Sequence, residues 1–270
     1  MPDPLDSLLR VIRVGYFGLG AGAFLFFFLW EGGRPRIPFP SRGRHVLRNL
    51  ALLALVVLFA DVLVGDLLLG IPAHLTAAPR GLLSPLALPT AMLAVLGLLA
   101  IDFACYLYHR LSHRLRWLWL LHATHHTDPH LDVSTALRFH PLDMAFYVIV
   151  IAGTLLVLGV PLWVAGLHAV LVNPQFMLQH ANVTFPRWVE RGFAWLFVTP
   201  AIHHVHHSAL REETDANYGQ MLSCWDRLLG TYRAPGAEDP PRIGVTGHGD
   251  DRWQTLSGML ATPWNGRRSL

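Results

Sequence analysis

The chain has 270 residues, of which 53% are hydrophobic and only 14% are charged, and its mean hydropathy is +0.38. Soluble globular domains carry about a quarter charged residues, so this composition is typical of a membrane protein. All 21 basic residues are arginine, the formal net charge is +3, and no pattern of alternating basic and aromatic residues supports nucleic-acid binding. The two cysteines form no CxxC pair, which argues against a disulfide framework.

Apolar stretches separated by polar segments predict a bundle of membrane helices, since a spanning helix needs about 20 mostly apolar residues. We predict spans at 14–30, 50–69 and 86–108, followed by a helical hairpin at 142–178. The hairpin turns at Gly159 and Pro161. From Asn182 onward the sequence is polar and aromatic, and no further span is expected. Because no polar linker divides the chain, we predict one all-α, polytopic membrane domain over residues 1–270.

Arginine is distributed unevenly among the segments that flank these spans. The 31–48 segment has five arginines and the 109–140 segment has four, whereas the 70–85 segment has one. By the positive-inside rule, the two arginine-rich segments lie in the cytoplasm. The hairpin brings the chain back to that side. We therefore predict a cytoplasmic helical cap on the bundle, with the C-terminus also in the cytoplasm.

Histidine is concentrated in three segments, called here the histidine boxes: HRLSH at 109–113, HATHH at 122–126 and HHVHH at 203–207. Histidines three or four residues apart lie on one face of a helix. A single histidine is more often structural, but three such boxes predict a metal site. The candidate ligands are His109, His113, His122, His125, His126, His203, His206 and His207. Eight imidazoles suit two ions better than one, although nitrogen ligands alone leave iron, copper, nickel and zinc open.

The boxes resemble the HxxxH, HxxHH and HxxHH signature of the fatty acid hydroxylase superfamily, also called sterol desaturase-like. The resemblance covers about residues 98–233 and extends to TALRFHPLD (135–143), QHAN (179–182) and NYGQMLSCWDRLLGTY (217–232). It implies an integral-membrane oxidase with two iron ions that uses dioxygen on lipid C–H bonds. By the same resemblance, the eight histidines would be iron ligands and His180 of QHAN a ninth.

Two further residues are predicted to support catalysis. Asp102 lies seven residues before His109, on the same helix face, and could accept a hydrogen bond from a metal-bound imidazole. A role as a helix cap or as a partner between helices is the alternative. His140, in the RFHP motif, could be a further ligand or could support one. The spacing of the boxes does not assign His204 to metal, and Asp215, Asn217 and Tyr218 could hold the histidines of the third box.

The resemblance implies a reaction that hydroxylates or desaturates a sterol, fatty acyl or related lipid. Ether cleavage would use the same ligands, so the sequence does not separate these reactions. No flavin, haem or ferredoxin motif is visible, so electrons would come from a separate donor of the cytochrome b5, ferredoxin or reductase type. A non-catalytic membrane protein that binds or transports a metal is the alternative. Such a transporter should carry ligands inside its spans, whereas these histidines follow the spans.

Overall fold

The computed structural model describes residues 4–76, 80–236 and 242–265, except for the side chains of residues 4–9, 13 and 60–76. These residues form α-helices and two isolated β-bridges but no β-strand, which confirms the predicted all-α fold. The helices are α1 (Pro4–Gly33), α2 (Arg42–Thr76), α3 (Thr90–Arg114), α4 (Arg116–His126), α5 (Pro141–Leu158), α6 (Leu162–His180), α7 (Arg187–Ala194), α8 (Pro200–His206), α9 (Arg211–Thr214), α10 (Cys224–Leu228), α11 (Asp251–Gln254) and α12 (Leu256–Asn265).

Three of the described helices are long and apolar enough to cross a membrane: Arg10–Gly33 within α1, Thr90–Arg114 (α3) and Pro141–Leu158 (α5). Only 12%, 28% and 17% of their most apolar windows are buried inside the molecule. The rest of these apolar surfaces therefore require an apolar environment outside the protein, as expected of a membrane protein.

The span predicted at 14–30 falls within α1, and the span predicted at 86–108 overlaps α3 but has different bounds. This helix begins only at Thr90, after Pro89, and continues through the first histidine box to Arg114. Arginine and histidine can end an apolar stretch without ending a helix, because both are compatible with helical backbone. The span predicted at 50–69 lies inside α2, but the side chains from residue 60 onward lie outside the described residues.

The predicted hairpin at 142–178 corresponds to α5 and α6, joined by residues 159–161. Gly159 has φ of 72°, a conformation that glycine adopts without the steric cost of a side chain. Beside this turn, Leu82 and Leu83 bond the end of α5. The Leu82 amide donates to the Val157 carbonyl at 2.9 Å, and the Leu83 amide donates to the Leu158 carbonyl at 3.0 Å. Unlike α5, α6 is not among the three candidate spans, and it carries His168, Asn173 and Gln175.

The α1 and α6 helices run in the same direction and pack closely along their length. Gly20 permits this approach, because a Cβ there would lie 2.3 Å from Nδ2 of Asn173. Further along the same pair, Phe27 of α1 packs with Met177 of α6 and with Val133 in a buried cluster. A second buried cluster holds α3, α5 and α6 together; it contains Ile101, Cys105, Leu155, Val160 and Val164.

The bundle has two distinct ends. The 81–89 segment and the 159–161 turn form one end, and the chain reverses there. At the other end, the carboxylate of Glu31 accepts hydrogen bonds from the amides of Val133 at 2.9 Å and Asn182 at 2.7 Å. The Arg36 amide donates to the Asn182 carbonyl at 2.9 Å. The arginine-rich 31–48 segment and the residues just after the hairpin therefore share one end of the molecule, where the histidine boxes also lie.

Candidate metal centre

Four helices deliver histidines to the same buried region. α3 supplies the first box in its last turns, and α4 supplies the second box after a break in the helix at Leu115. α6 ends at His180. α8 begins at Pro200 after a Thr199 cap and supplies the third box, and His207 is its C-terminal cap residue. The structure thus brings together segments that are up to 98 residues apart in the chain, counting from 109 to 207.

The nine histidines form two adjacent groups, and all nine are buried. The five-histidine group contains His109, His113, His122, His126 and His206. The four-histidine group contains His125, His180, His203 and His207. Within each group the candidate ligand nitrogens lie within 4.8 Å of one another. The groups touch each other, since the rings of His126 and His207 stack with centroids 4.5 Å apart. All nine histidines assigned to metal in the sequence are therefore found in one of the two groups.

Five of these rings are fixed through Nδ1, which donates to an oxygen. The Nδ1 partners are the carbonyls of Tyr218 for His109 (2.8 Å), Ala216 for His206 (2.7 Å), Arg138 for His125 (3.2 Å) and Phe176 for His180 (2.7 Å), and the Asp143 carboxylate for His122 (3.0 Å). A carbonyl can only accept, so Nδ1 carries the proton in these neutral rings. Nε2 of each ring is then left with a free lone pair. This tautomer is the one in which Nε2 can bind a metal.

Within each group the Nε2 atoms turn toward one another. In the five-histidine group, Nε2 of His109, His122, His126 and His206 is buried without a hydrogen-bond partner. In the four-histidine group, Nε2 of His125 lies 3.1 Å from Nε2 of His180. Both of these rings carry their proton on Nδ1, so two lone pairs face each other and repel. A cation between the rings would remove this repulsion, so the donor set fits bound metal ions.

Burial also keeps the ligands in the required protonation state. Burial and the neighbouring histidines lower the pKa of His125, His126, His203 and His207 well below the ordinary histidine value. A neutral imidazole binds metal and a protonated one does not. Near neutral pH these four side chains are therefore ready to act as ligands.

Two residues that the sequence analysis did not assign support the histidines. Asp143, in the first turn of α5, binds Nδ1 of His122 and accepts the hydroxyl hydrogen of Tyr108. Arg138 is fully buried, and its guanidinium donates to the Thr124 carbonyl at 2.8 Å. This hydrogen bond holds Arg138 in place, and the backbone carbonyl of Arg138 accepts from Nδ1 of His125. The sequence offered one indication that these two residues support the site, because both lie in the TALRFHPLD motif at 135–143.

The two residues predicted to support catalysis lie outside both groups. Asp102 does not bond any of the nine histidines in the described structure. It accepts instead from the amides of Met221 (3.2 Å) and Leu222 (3.3 Å) and from Nε1 of Trp225 (2.8 Å). The contact expected between Asp102 and a ligand was therefore wrong, and the alternative of a partner between helices is found in the hydrogen bond from Trp225 of α10. Through these bonds Asp102 holds the 218–225 segment against α3.

His140 is the N-cap residue of α5, and its Nδ1 accepts from the amide of Leu142 at 3.2 Å. Its Nε2 lies 3.3 Å from the carbonyl of Leu260 in α12. A role of Asp102 or His140 in turnover stays a prediction. His204 is buried but belongs to neither group, as the spacing of its box suggested. Of the residues predicted to hold the third box, Tyr218 instead accepts through its carbonyl from His109 of the first box, and His206 of the third box donates to the carbonyl of Ala216, which was not predicted.

A cavity of about 200 Å³ begins at the histidines and extends between the helices. Both groups reach it: His109 and His122 belong to the first, and His125 and His203 to the second. Away from the histidines its lining is mainly apolar and includes Leu53, Val56, Met144, Ile151 and Val172. The cavity can therefore place a hydrocarbon chain next to both groups.

Comparisons with known proteins agree with this geometry. The family model for fatty acid hydroxylase matches residues 94–231. Ornithine lipid hydroxylase OlsE of Rhizobium tropici is 37% identical over 164 residues, which are 59% of this chain and 47% of that protein. Human alkylglycerol monooxygenase is 32% identical over 143 residues, 50% of this chain and 29% of that protein. A cholesterol 25-hydroxylase-like protein of Caenorhabditis elegans is 27% identical over 160 residues, 55% of this chain and 49% of that protein.

This chain matches about half or less of the length of each of these relatives. No solved structure matches it. The region matched by the family model is just over half of the chain and contains all nine histidines of the two groups. The chain therefore belongs to the fatty acid hydroxylase family.

Proposed function

We propose that this protein is a membrane-bound, iron-dependent oxygenase that hydroxylates a C–H bond of a lipid with dioxygen and external electrons. The observation that carries the proposal is the pair of buried histidine groups at the end of an apolar cavity: Nδ1 of five of the nine rings is bonded to an oxygen, and the Nε2 atoms turn toward one another. Such a site combines metal-binding nitrogens with space for an unreactive hydrocarbon.

The two groups would hold one iron ion each. The five-histidine group offers five nitrogens and the four-histidine group four. The stacked rings of His126 and His207, one from each group, would keep the two ions close to each other. Bound iron would supply the activation of dioxygen and the removal of hydrogen from an unactivated carbon, which no side chain in the site can do.

The protein's own residues would orient the ligands and shield the reaction from water. Four carbonyls and Asp143 fix five imidazole rings before any metal binds, so little rearrangement is needed on binding. Leu53, Val56 and Val172 line the cavity, where an apolar chain would displace water. The substrate would enter from the bilayer, because the cavity lies among α1, α5 and α6.

The names of the relatives favour oxygen insertion over desaturation. They are a hydroxylase of ornithine lipids, a monooxygenase of alkylglycerols and a cholesterol 25-hydroxylase-like protein. Desaturation and ether cleavage remain the alternative outcomes at the same ligands, and product analysis distinguishes them. Electrons would come from a separate donor of the cytochrome b5, ferredoxin or reductase type.

The arginine distribution supports a cytoplasmic position for the metal centre. The 31–48 segment, with its five arginines, contacts Asn182 and shares one end of the molecule with the histidines. By the positive-inside rule that end would face the cytoplasm. The chain would cross the membrane several times, and the donor would reach the centre from the cytoplasmic side.

A metal-transport function has less support. A transport path needs ligands at successive depths in the membrane. In the described residues the two groups lie together at one end of the molecule, and the cavity beyond them is lined mainly by apolar side chains. These features suit a fixed metal centre next to a hydrocarbon substrate.

Metal analysis combined with lipid product analysis tests the proposal. We expect the purified full-length protein to contain about two iron ions per chain and to produce a hydroxylated lipid with a reductase system. His125→Ala should lose iron from the four-histidine group and abolish lipid oxidation. His204→Ala is the matched control, because this histidine lies in the same box as two ligands of that group but in neither group, and its iron content should stay unchanged. One zinc ion per chain with no iron-dependent oxygen uptake would contradict the proposal.

A further inference from the structure

The lining of the cavity includes one amide, that of Gln179, in which neither polar atom has a partner. Gln179 lies in the last turn of α6, next to His180 of the four-histidine group, and only 1% of it is exposed. Both its Nε2 and its Oε1 are buried without a hydrogen-bond partner. Buried polar groups in proteins are nearly always paired, so this side chain requires an explanation.

Several other polar side chains of the same lining have hydrogen-bond partners, whereas Nε2 of His168 lies 3.9 Å from a carboxylate oxygen of Asp102 without a hydrogen bond. The Tyr147 hydroxyl donates to Oε1 of Gln220 at 3.1 Å. Nδ2 of Asn173 donates to the Tyr16 carbonyl at 3.3 Å. Tyr108 donates to Asp143. The lack of partners is therefore a property of Gln179 and not of every polar group in this cavity.

We infer that Gln179 binds a polar group of the lipid substrate that both donates and accepts a hydrogen bond, close to the carbon that is oxidised. This inference rests on the proposed function, because it takes the cavity as the place where the lipid lies. A primary amide offers a donor group and an acceptor side by side. A hydroxyl group or an amide group on the lipid can satisfy both, whereas a plain hydrocarbon chain can satisfy neither.

The position of Gln179 sets where on the lipid this group lies. It comes directly before His180 in the chain, and the cavity that it lines also contacts His125 and His203 of the four-histidine group. A polar group bound here is near the metal centre, and the hydrocarbon extends along the apolar wall. The site would therefore oxidise a carbon near the polar end of its substrate, not one near the far methyl end. A site built to bond a polar group rejects an analogue that lacks it, because its own polar atoms are then left unpaired.

Binding of matched probes to the full-length protein tests this inference without turnover. The probes are hexadecanol, hexadecanamide and hexadecane, and the apparent affinity is taken from the rise of Tm with probe concentration. Gln179→Met keeps the side-chain length and removes both polar atoms. We expect at least one of the two polar probes to bind the wild type about tenfold more tightly than it binds Gln179→Met. A tenfold change in affinity corresponds to about one buried hydrogen bond. Hexadecane should bind the wild type and Gln179→Met equally. Because each probe is compared between two proteins in the same detergent, its partitioning into the detergent cancels.

A structural role for Gln179 predicts a different result. If the amide stabilised the fold, Gln179→Met would lower the Tm of the protein without probe, whereas removal of unpaired buried atoms should keep or raise it. Gln175→Met is the matched control on the same helix, since Nε2 of Gln175 donates to the Val198 carbonyl at 2.5 Å. This control should lower the Tm and leave the probe affinities unchanged.

The outcomes separate this inference from the proposed function. A loss of affinity confined to hexadecanol identifies a hydroxyl as the recognised group, and one confined to hexadecanamide identifies an amide. Equal affinities of the wild type and Gln179→Met for all three probes would overturn the inference, even if the protein contains iron and oxidises lipids. A Gln179-dependent preference in a protein that binds no iron would instead refute only the proposed function.

Discussion

Two buried polar regions lie side by side at one end of this molecule, and they differ in the partners of their polar groups. The first is the pair of histidine groups, whose Nε2 atoms lack partners in the five-histidine group and face one another in the four-histidine group. The second, called here the carboxylate network, connects α1 and α2 to the loop after α4. It consists of Glu31, Arg42, His45, Asp128 and Asp132.

In the carboxylate network each acid has opposite charges or donors around it. Glu31 pairs with Arg42 at 2.7 Å, and His45 lies 2.9 Å from both carboxylate oxygens of Asp128. Asp132 accepts from the Ser134 amide at 2.8 Å. All three carboxylates are buried, and burial of a charge is costly unless it is paired. Each acid of this network therefore finds its partners within the protein alone.

The comparison shows which buried polar region serves stability and which serves a ligand. The carboxylate network holds α1, α2 and the 128–135 loop in place, and that loop leads to Arg138, whose carbonyl orients His125. No carboxylate among the described residues bonds the Nε2 atoms of the histidine groups, and these atoms fit a metal. Disruption of the first region should therefore lower stability, and disruption of the second should lower metal binding and turnover.

The largest change in stability should follow from Asp128→Asn in the carboxylate network. The substitution removes the charge that faces His45 and weakens the bond from the Thr135 hydroxyl, which is 2.9 Å long. Breaking a buried charge pair costs about 3–5 kcal/mol, and we expect a Tm many degrees lower by thermal unfolding in detergent. Asp251→Asn is the control, because Asp251 also pairs with a basic residue, Arg48 at 2.6 Å, but on the surface. An equal loss of Tm in both variants would contradict this account of the network.

The parts of the centre that are local in sequence were predictable, and those that depend on tertiary packing were not. The spacing within each box follows from one helix, so the eight histidines of the boxes could be named, and the resemblance added His180. Their partners are mostly carbonyls, such as that of Tyr218, which any residue type can supply. The offset of seven between Asp102 and His109 placed both on one face of α3, but it did not show which segment packs there. The role of His45 could not be predicted, because its carboxylate partners lie more than 80 residues away in the chain.

Asp143→Asn should have a moderate effect, confined to the metal centre. An asparagine at this position could offer its amide oxygen to one partner, but it would lack the charge that Nδ1 of His122 and the Tyr108 hydroxyl now share. Loss of such a supporting group typically costs about 10–100-fold in metal affinity or activity. We expect lipid oxidation to fall by that factor, with Tm nearly unchanged.

Asp102→Asn is the matched control for this substitution. Asp102 is an equally buried carboxylate that bonds backbone amides and Trp225, not a histidine of the groups. It should lower the Tm more than Asp143→Asn does, and lower metal affinity less. If Asp102→Asn instead lost most turnover at an unchanged Tm, Asp102 would have the catalytic role that its position before His109 suggested.

A last effect, spread over several pH units, should be a change of stability with pH that arises from His45. Burial alone would lower the pKa of this histidine, but the carboxylates of Asp128 and Asp132 outweigh burial and raise the pKa to about 10. The unfolded chain has an ordinary histidine pKa of about 6.5. Because the folded pKa is the higher one, the stabilising contribution is fully present below about pH 6.5 and is lost as the pH rises through about 10.

Thermal unfolding across that pH window tests whether the pair of His45 and Asp128 is charged. The pKa of Asp128 is shifted the opposite way, since burial would raise it but His45 and Arg138 lower it. Asp128 is therefore ionised throughout the window and adds no slope. We expect the Tm of the wild type to fall by several degrees between about pH 6.5 and 10. In His45→Gln, which keeps a donor toward Asp128 but cannot carry a charge, the same decrease should be smaller. Parallel Tm curves for the two proteins would show that the pair is not a charged one.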